Sequence, residues 1–305
     1  MLLFLLRRLA LGIAVALTVM TLAFMLTRLS GDLAISIAGA NATQEDVEII
    51  RKSYGLDRPL AVQFFDWIVR ALVGDFGTSF FFKEKVSTLI GQRLPITVTL
   101  GLIGLSLALL ISIPLGMLAA IRENTWIDRA VTLFTMIGQA MPTFWLGLIM
   151  MIVLGLWLRL LPISGTGSWQ HFVMPGIVLA FTAIPALTRL TRSGMIEAMA
   201  SDYIRTARAK GLSRLSIIGK HALRNAAIPV VSIAAVQLGF MLGGSIVIET
   251  VFALHGVGFL AWESIGKNDF PVVQAVVMVL AVIYVGLTLL SDLLNALLDP
   301  RLRAT

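Results

Sequence analysis

Six long runs of apolar residues constrain this chain more than any other feature of its sequence. An α-helix needs about 20 apolar residues to cross the hydrocarbon core of a bilayer. The runs lie near residues 9–29, 97–121, 131–157, 173–191, 227–250 and 272–296. Composition agrees, because 58% of the 305 residues are hydrophobic and 13% are charged, whereas about 25% of residues in average soluble domains are charged. The sequence therefore predicts an all-α polytopic membrane protein with six transmembrane helices.

Proline occurs inside several of these runs, at Pro114, Pro142 and Pro185. Membrane helices tolerate proline where neighbouring helices satisfy the freed backbone groups, so proline does not exclude the six spans. The fourth run is the weakest of the six, because it is short and because Arg189 and Arg192 blur its end.

The distribution of Lys and Arg predicts the orientation in the membrane. With the N-terminus inside, most basic residues of the short loops are cytoplasmic, which follows the known bias of membrane proteins; the external exceptions are Arg159 and Lys267. Arg7 and Arg8 precede an apolar run that is long for a signal peptide, and no cleavage site follows it. We therefore expect a retained first helix and two cytoplasmic termini.

The chain divides into four predicted regions: a first transmembrane helix over 1–29, an extracytoplasmic insert over 30–96, a five-helix core over 97–296 with a cytoplasmic loop over 192–226, and a cytoplasmic tail over 297–305.

The insert is predicted to be an ordered cap with helices of its own. Thr43 and Asp46 have the spacing of a capping box. An amphipathic helix should follow, with its apolar side built from Phe64, Phe65, Trp67 and Ile68. Residues 85–95 should form a helix that leads into the second span.

Motifs of enzyme chemistry are absent from the sequence. It has no G-x-x-x-x-G-K-[ST] phosphate loop, no H-E-x-x-H and no G-x-S-x-G. It has no cysteine, and its three histidines fall in three different loops, so we expect neither catalytic residues nor a metal site. Glu249 and Asp292 are almost the only ionisable residues within the apolar runs. Proton-coupled carriers usually need such residues, so a stand-alone channel or secondary carrier is kept only as an alternative.

The segment from Tyr203 to Pro229 is basic, with six Lys or Arg and no acid. An apolar stripe runs through it at helical spacing, formed by Ile204, Ala207, Leu215, Ile218 and Ala222. Gly211 and Ser213 predict a turn between two short helices, the second running to Asn225 and Pro229. Such a segment either lies on anionic lipid headgroups or docks into a cytoplasmic partner. A turn favours docking, because a helix on headgroups does not need one.

This segment resembles the ATPase-coupling loop of ABC importer permeases, whose general form is E-A-A, three residues, Gly, nine residues, I-x-L-P. Gly211 takes the glycine position, while Arg205–Ala207 and His221–Arg224 replace the two ends. These departures resemble one branch, the dipeptide, oligopeptide, glutathione and nickel permeases. Asp202–Gly211 and His221–Pro229 match its pattern almost residue for residue.

The resemblance extends over most of the chain. Segments that match the same branch are GLDRPL at 55–60, GDFGTS at 74–79, RLP at 93–95, SWQHFVMP at 168–175, LGGSIVIE at 242–249 and DFPVVQA at 269–275. The chain departs at 255–258, where His255 stands in the usual proline position.

The resemblance implies the fold of a type I ABC importer permease, in which two permeases form a pore above two ATPase subunits. It implies a soluble extracytoplasmic substrate-binding protein, a second permease that is a different homologous chain, and residence in the bacterial inner membrane. ATP and Mg²⁺ would bind to the partner subunits, so no cofactor and no nucleic acid is expected here. The substrate would be a di- or oligopeptide or a glutathione-like molecule, with nickel or another small solute as the alternative.

The resemblance also implies residue roles. The residues carried over as ATPase-coupling are Arg205, Thr206, Ala207, Arg208, Gly211, His221, Leu223, Arg224 and Asn225. For the translocation path, Gln237, Met241 and Ser245 share a face of the fifth span, which either lines the route or packs against neighbours. Glu249 is the best polar candidate for the outer mouth, where we expect it to meet solvent or a structural partner.

Overall fold

The computed structural model describes residues 2–29, 31–39 and 42–298, with the backbone alone for 2–5, 297 and 298. The predicted tail over 297–305 therefore lies almost entirely outside the described residues. Within the described residues the regular structure is helical, apart from one isolated bridge between Thr78 and Lys85, which agrees with the predicted all-α class.

The helices follow one another with short connections. The α-helices are α1 (Leu2–Leu29), α2 (Leu33–Ala38), α3 (Gln44–Ser53), α4 (Leu60–Leu72), α5 (Val86–Ile121), α6 (Trp126–Ala140), α7 (Thr143–Met150), α8 (Val173–Ala200), α9 (Asp202–Ala209), α10 (Arg214–Ser216), α11 (Leu223–Val251), α12 (Val257–Gly266) and α13 (Phe270–Leu298). Helical segments of other pitch are two π-helical stretches, Met151–Trp157 and Ile217–Ala222, and a 3₁₀ turn, Trp169–Phe172.

Five helical segments of the described chain are long and apolar enough to cross a membrane. They are Leu6–Leu29, Val86–Ile121, Trp169–Ala200, Arg214–Val251 and Phe270–Ala296. A sixth is obtained if Trp126–Ala140 and Thr143–Trp157 count as one broken span, because the two halves meet at 99°. These segments correspond to the six predicted spans.

The third predicted span, 131–157, is not one helix. It breaks at Pro142, which directly precedes α7, and Met141 has an extended backbone with φ −80° and ψ 126°. Proline disfavours the helical conformation of the residue before it and lacks an N–H. Pro114 and Pro185, in contrast, lie inside continuous helices.

The fourth span is longer than predicted. α8 continues past residue 191 to Ala200, and it is the most buried of the candidate spans. Arg192 does not end it, because its Nε and Nη2 atoms each donate to an Asp128 carboxylate oxygen of α6 at 2.7 Å. α5, α6, α7 and α11 all pack against α8, which makes α8 the centre of the bundle.

The segment between α1 and α5 contains α2, α3 and α4. The predicted capping box of Thr43 and Asp46 is confirmed at the start of α3. Arg51 of α3 donates to Asp32 at 2.5 Å, and this hydrogen bond holds the pKa of the Asp32 carboxyl below its usual range.

Two aromatic side chains of α4 pack against α1, as the amphipathic pattern of α4 predicts. Phe64 and Trp67 lie 5.2 and 6.2 Å from the ring of Phe24. Phe65 was expected on the same apolar side but is 68% exposed. The helix predicted over 85–95 is confirmed as the first part of α5, so the last residues of the predicted insert continue the second span without a break.

Candidate functional site

The loop between α8 and α11, residues 201–222, has the predicted arrangement of helix, glycine turn and helix. It is shorter than the predicted 192–226, because α8 and α11 take up its two ends. The second helical part does not end near Pro229; it passes through a π-helical stretch directly into α11, and Pro229 lies inside that helix. We call residues 201–222 the α8–α11 loop.

Gly211 ends α9 with a left-handed backbone. Its φ is +74°. The Gly211 N–H donates to Arg208 O at 3.0 Å, and the Leu212 N–H donates to Ala207 O at 3.3 Å. These are the two hydrogen bonds of a Schellman motif, in which glycine is preferred because a Cβ penalises positive φ. The predicted reason for a glycine at this position is therefore confirmed.

One side of the α8–α11 loop is buried in an apolar cluster. Ile204 and Ala207 of α9 pack with Ile218 and Ala222, as the predicted stripe requires. The cluster also contains Met195, Ala198 and Ala226, and it is bordered by Met117, Ala120 and Ile121. Leu215 is the exception to the stripe, since it is 85% exposed. The loop is thus attached to the ends of α5, α8 and α11 at once.

The other side of the loop carries the predicted coupling residues. Arg205, Thr206 and Arg208 are exposed on α9, and Arg205 forms an exposed ion pair with Asp202 at 3.2 Å. Ala207 lies on the buried side.

The remaining coupling candidates lie where the loop enters α11. Arg224 and Asn225 are exposed, and His221 and Leu223 are half-buried. The structure therefore places the predicted set on the α8–α11 loop and on the first turn of α11, with an outward face and an inward face.

The predicted pathway residues lie on the inner face of α11. Met241, Ser245 and Glu249 are buried within the chain, and Gln237 is half-buried. The sequence left two alternatives for this face, lining the route or packing against neighbours, and its burial agrees with packing. A role in the translocation path stays a prediction. Gly239 also packs closely, because a Cβ there would lie 2.7 Å from the ring of Tyr284 on α13.

Glu249 is enclosed rather than exposed to solvent. Its carboxylate accepts hydrogen bonds from Thr97 Oγ1 at 2.7 Å, Ser245 Oγ at 2.9 Å and the Phe259 N–H at 2.9 Å. Gly256 and Gly258 make room for it, since a Cβ at either would lie within 2.9 Å of a Glu249 oxygen. Glu249 therefore joins α5, α11 and α12.

A second buried carboxylate, Asp269, was not singled out from the sequence. It accepts from the Ser79 hydroxyl, from the Phe80 N–H at 3.0 Å and from the Phe81 N–H at 3.2 Å. These contacts attach the turn before α5 to the start of α13. Two sequence motifs could have indicated this contact. GDFGTS ends at Ser79 and DFPVVQA begins at Asp269, and these two residues form the hydrogen bond.

Comparison with known proteins agrees with this geometry. The family described as "Binding-protein-dependent transport system inner membrane component" matches residues 112–304. The family described as "Binding-prot-dependent transport system membrane comp, N-term" matches residues 1–101. Together the two cover the bundle, the α8–α11 loop and the segment between α1 and α5.

Relatives resemble the chain along its whole length. The glutathione transport system permease protein GsiC of Salmonella choleraesuis (strain SC-B67) is 39% identical over 304 residues, with 99% of each chain covered. The "Probable peptide ABC transporter permease protein y4tP" of Sinorhizobium fredii (strain NBRC 101917 / NGR234) is 37% identical over 309 residues, with 98% of this chain and 99% of that protein covered.

A solved structure shows the same fold. The match is to an inward-facing conformation of the MetNI methionine ABC transporter, with a TM-score of 0.59 and 19% identity, over 69% of this chain and 96% of that one. The two family matches and the full-length relatives show the family, and the solved structure agrees with its fold. The chain belongs to the binding-protein-dependent transport system inner membrane components, the permease subunits of ABC transporters.

Proposed function

We propose that this chain forms half of the translocation path of an ATP-driven importer, and that its α8–α11 loop receives a separate ATPase subunit. One observation carries the proposal. α9 presents Arg205, Thr206 and Arg208 outward while Ile204 and Ala207 are buried against the ends of the spans.

This division of α9 suggests how force would pass from the partner to the membrane. Protein interiors are close-packed and transmit displacement. A push on the outward face of α9 would therefore move the ends of α5, α8 and α11 together. ATP and Mg²⁺ would be bound by the ATPase subunits, and the other half of the path would come from a second, homologous permease.

The relatives support the substrate class and the membrane location that we propose. We propose a di- or oligopeptide or a glutathione-like molecule, delivered by an extracytoplasmic binding protein, because relatives at 37–39% identity are named for glutathione and peptide transport. We place the chain in the bacterial inner membrane with both termini in the cytoplasm. This orientation puts the α8–α11 loop on the cytoplasmic side, where ATP is available.

A charge reversal separates ATPase docking from simple adhesion to lipid. In the assembled complex in nanodiscs, Arg208→Glu is expected to reduce co-purification of the ATPase at least tenfold and to abolish ATP-driven peptide uptake. Arg129→Glu is the matched control, because Arg129 is also exposed and basic but lies on α6 rather than on the loop. If both variants retain the ATPase and full uptake, the loop is only a basic surface on the membrane and the proposal fails.

The glycine turn provides a second test of the same site. Gly211→Val forces a β-branched residue into positive φ, which costs about 1–2 kcal/mol. Gly211→Asn should be tolerated, since Asn adopts this conformation readily, and no other atom lies within 4 Å of the new Cβ. We expect the Val variant to hydrolyse ATP with weakened uptake and the Asn variant to resemble the wild type. Equal uptake by both variants would contradict a docking role for the turn.

A further inference from the structure

A cavity of about 360 Å³ lies between the end of α1 and the start of α13. Its walls come from the end of α1, from α2 to α4 and the turn after them, and from the start of α13. The volume lies in the range of small-molecule sites, which begins near 300 Å³.

The charges around this cavity do not cancel. Three arginines and two aspartates line it. Arg58 pairs with Asp66 at 2.5 Å, and Asp75 accepts from the Gly77 N–H at 3.0 Å. Arg28 and Arg70 have no carboxylate partner among the residues that the structure describes. The wall therefore carries one net positive charge.

Hydrogen bonding around the cavity is also incomplete. Gln63 is 8% exposed, and its Nε2 donates to Leu56 O at 3.1 Å and to Arg58 O at 2.7 Å. Its Oε1 and the Nε of Arg28 are buried without a partner. Buried polar groups in folded proteins are nearly always paired, so two incompletely paired side chains that line the same cavity mark it as a candidate site.

The cavity also has an apolar side. Leu33, Leu56, Trp67 and Phe76 line it together with the cations. The guanidinium carbon of Arg28 lies 4.9 Å from the centroid of the Phe24 ring. A ligand with an anionic group and a small apolar body would satisfy both kinds of wall.

We propose that this cavity is a binding site for a small molecule that bears an oxyanion, a carboxylate or a phosphate, held by Arg28 and Arg70. Guanidinium groups offer forked donors that match the oxygens of both groups. The oxyanion has two sources: a phospholipid headgroup, since Arg28 ends the first span, or the free carboxylate of a soluble peptide. The site does not depend on the proposed ATPase docking.

Calorimetry on the full chain tests the proposal without ATPase or binding protein present. The chain is purified in dodecyl maltoside, a detergent without phosphate or carboxylate, and titrated with trialanine, trialanine amide and dihexanoyl phosphatidylglycerol. We expect one anionic probe to bind, with a Kd that rises at least tenfold in Arg70→Gln. Lys52→Gln is the matched control and should leave the Kd unchanged, because Lys52 is exposed on α3 and does not line the cavity.

The three probes identify the source. Binding of trialanine but not of its amide assigns the site to a soluble carboxylate, and binding of phosphatidylglycerol alone assigns it to a headgroup phosphate. Arg28→Gln should weaken the same probe. The proposal is overturned if no anionic probe binds, or if Arg70→Gln and Lys52→Gln bind it equally well.

Discussion

Glu249 accepts hydrogen bonds from donors on three elements, and this makes its substitution informative. In Glu249→Leu, the buried Phe259 N–H and the Thr97 hydroxyl both lose their acceptor. Each unsatisfied buried group costs about 1–3 kcal/mol, so for the two groups we expect a loss of about 2–6 kcal/mol. Glu249→Gln retains one acceptor oxygen for the N–H, and the hydroxyls can rotate to accept, so its loss should be nearer 1 kcal/mol. Thermal unfolding in detergent compares the two.

Met241→Leu is the control for this pair of variants. It alters the same buried face of α11 but conserves side-chain volume, and such changes usually cost less than about 1.5 kcal/mol. If Glu249→Leu unfolds at the same temperature as Met241→Leu, the carboxylate does not stabilise the contact between α5, α11 and α12, contrary to what its hydrogen bonds indicate.

The sequence predicted Glu249 as a polar candidate but could not predict its environment. Its donor Thr97 lies 152 positions away, and no local pattern reports a contact over that separation. Gly211 is the opposite case. Its role depends on hydrogen bonds within α9 and its end, so the turn could be predicted from neighbouring residues alone.

At the scale of elements, the prolines also show what local sequence patterns could not predict. Pro114 is exposed on α5 and that helix continues through it, whereas Pro142 is also exposed, between α6 and α7, and the span breaks there. Apolar periodicity predicted both spans but not this difference. Proline lacks an N–H and disfavours the helical conformation of the residue before it, but apolar spacing does not report whether the helix continues through it.

The turn before α5 should depend on Asp269 more than on its own sequence. In Asp269→Ala, the Phe80 and Phe81 amides lose their acceptors at the start of α13. We expect these amides to exchange with deuterium at least tenfold faster, as a loss of about 1.4 kcal/mol of local stability would produce. Hydrogen exchange with mass spectrometry on peptides spanning 76–85 measures this.

Asp75→Ala provides the comparison for the same turn, because Asp75 accepts one backbone N–H there, from Gly77. Exchange across α4 should stay unchanged in both variants. Equal exchange over 76–85 in Asp269→Ala and Asp75→Ala would show that the turn is stable without its attachment to α13.

For the whole molecule, the close approach of α5 and α8 decides whether the bundle can form. Gly116 of α5 is buried, and a Cβ there would lie 2.6 Å from Thr191 Cβ and 2.7 Å from the backbone oxygen of Thr188. Gly116→Ala must therefore push α8 away, and overpacking of this kind costs about 1–3 kcal/mol. Because α8 also contacts α6, α7 and α11, its displacement should lower the unfolding temperature of the entire chain.

Gly91 on the same helix is the matched control. It is exposed, and a Cβ there meets no atom within 4 Å. Alanine is favoured over glycine inside a helix by about 0.5–1 kcal/mol, so Gly91→Ala should unfold at a slightly higher temperature than the wild type. The same substitution on one helix is thus expected to act in opposite directions, because α8 contacts one glycine and not the other. If both variants raise the unfolding temperature, α5 and α8 are farther apart than the structure shows, and the bundle is not centred on their contact.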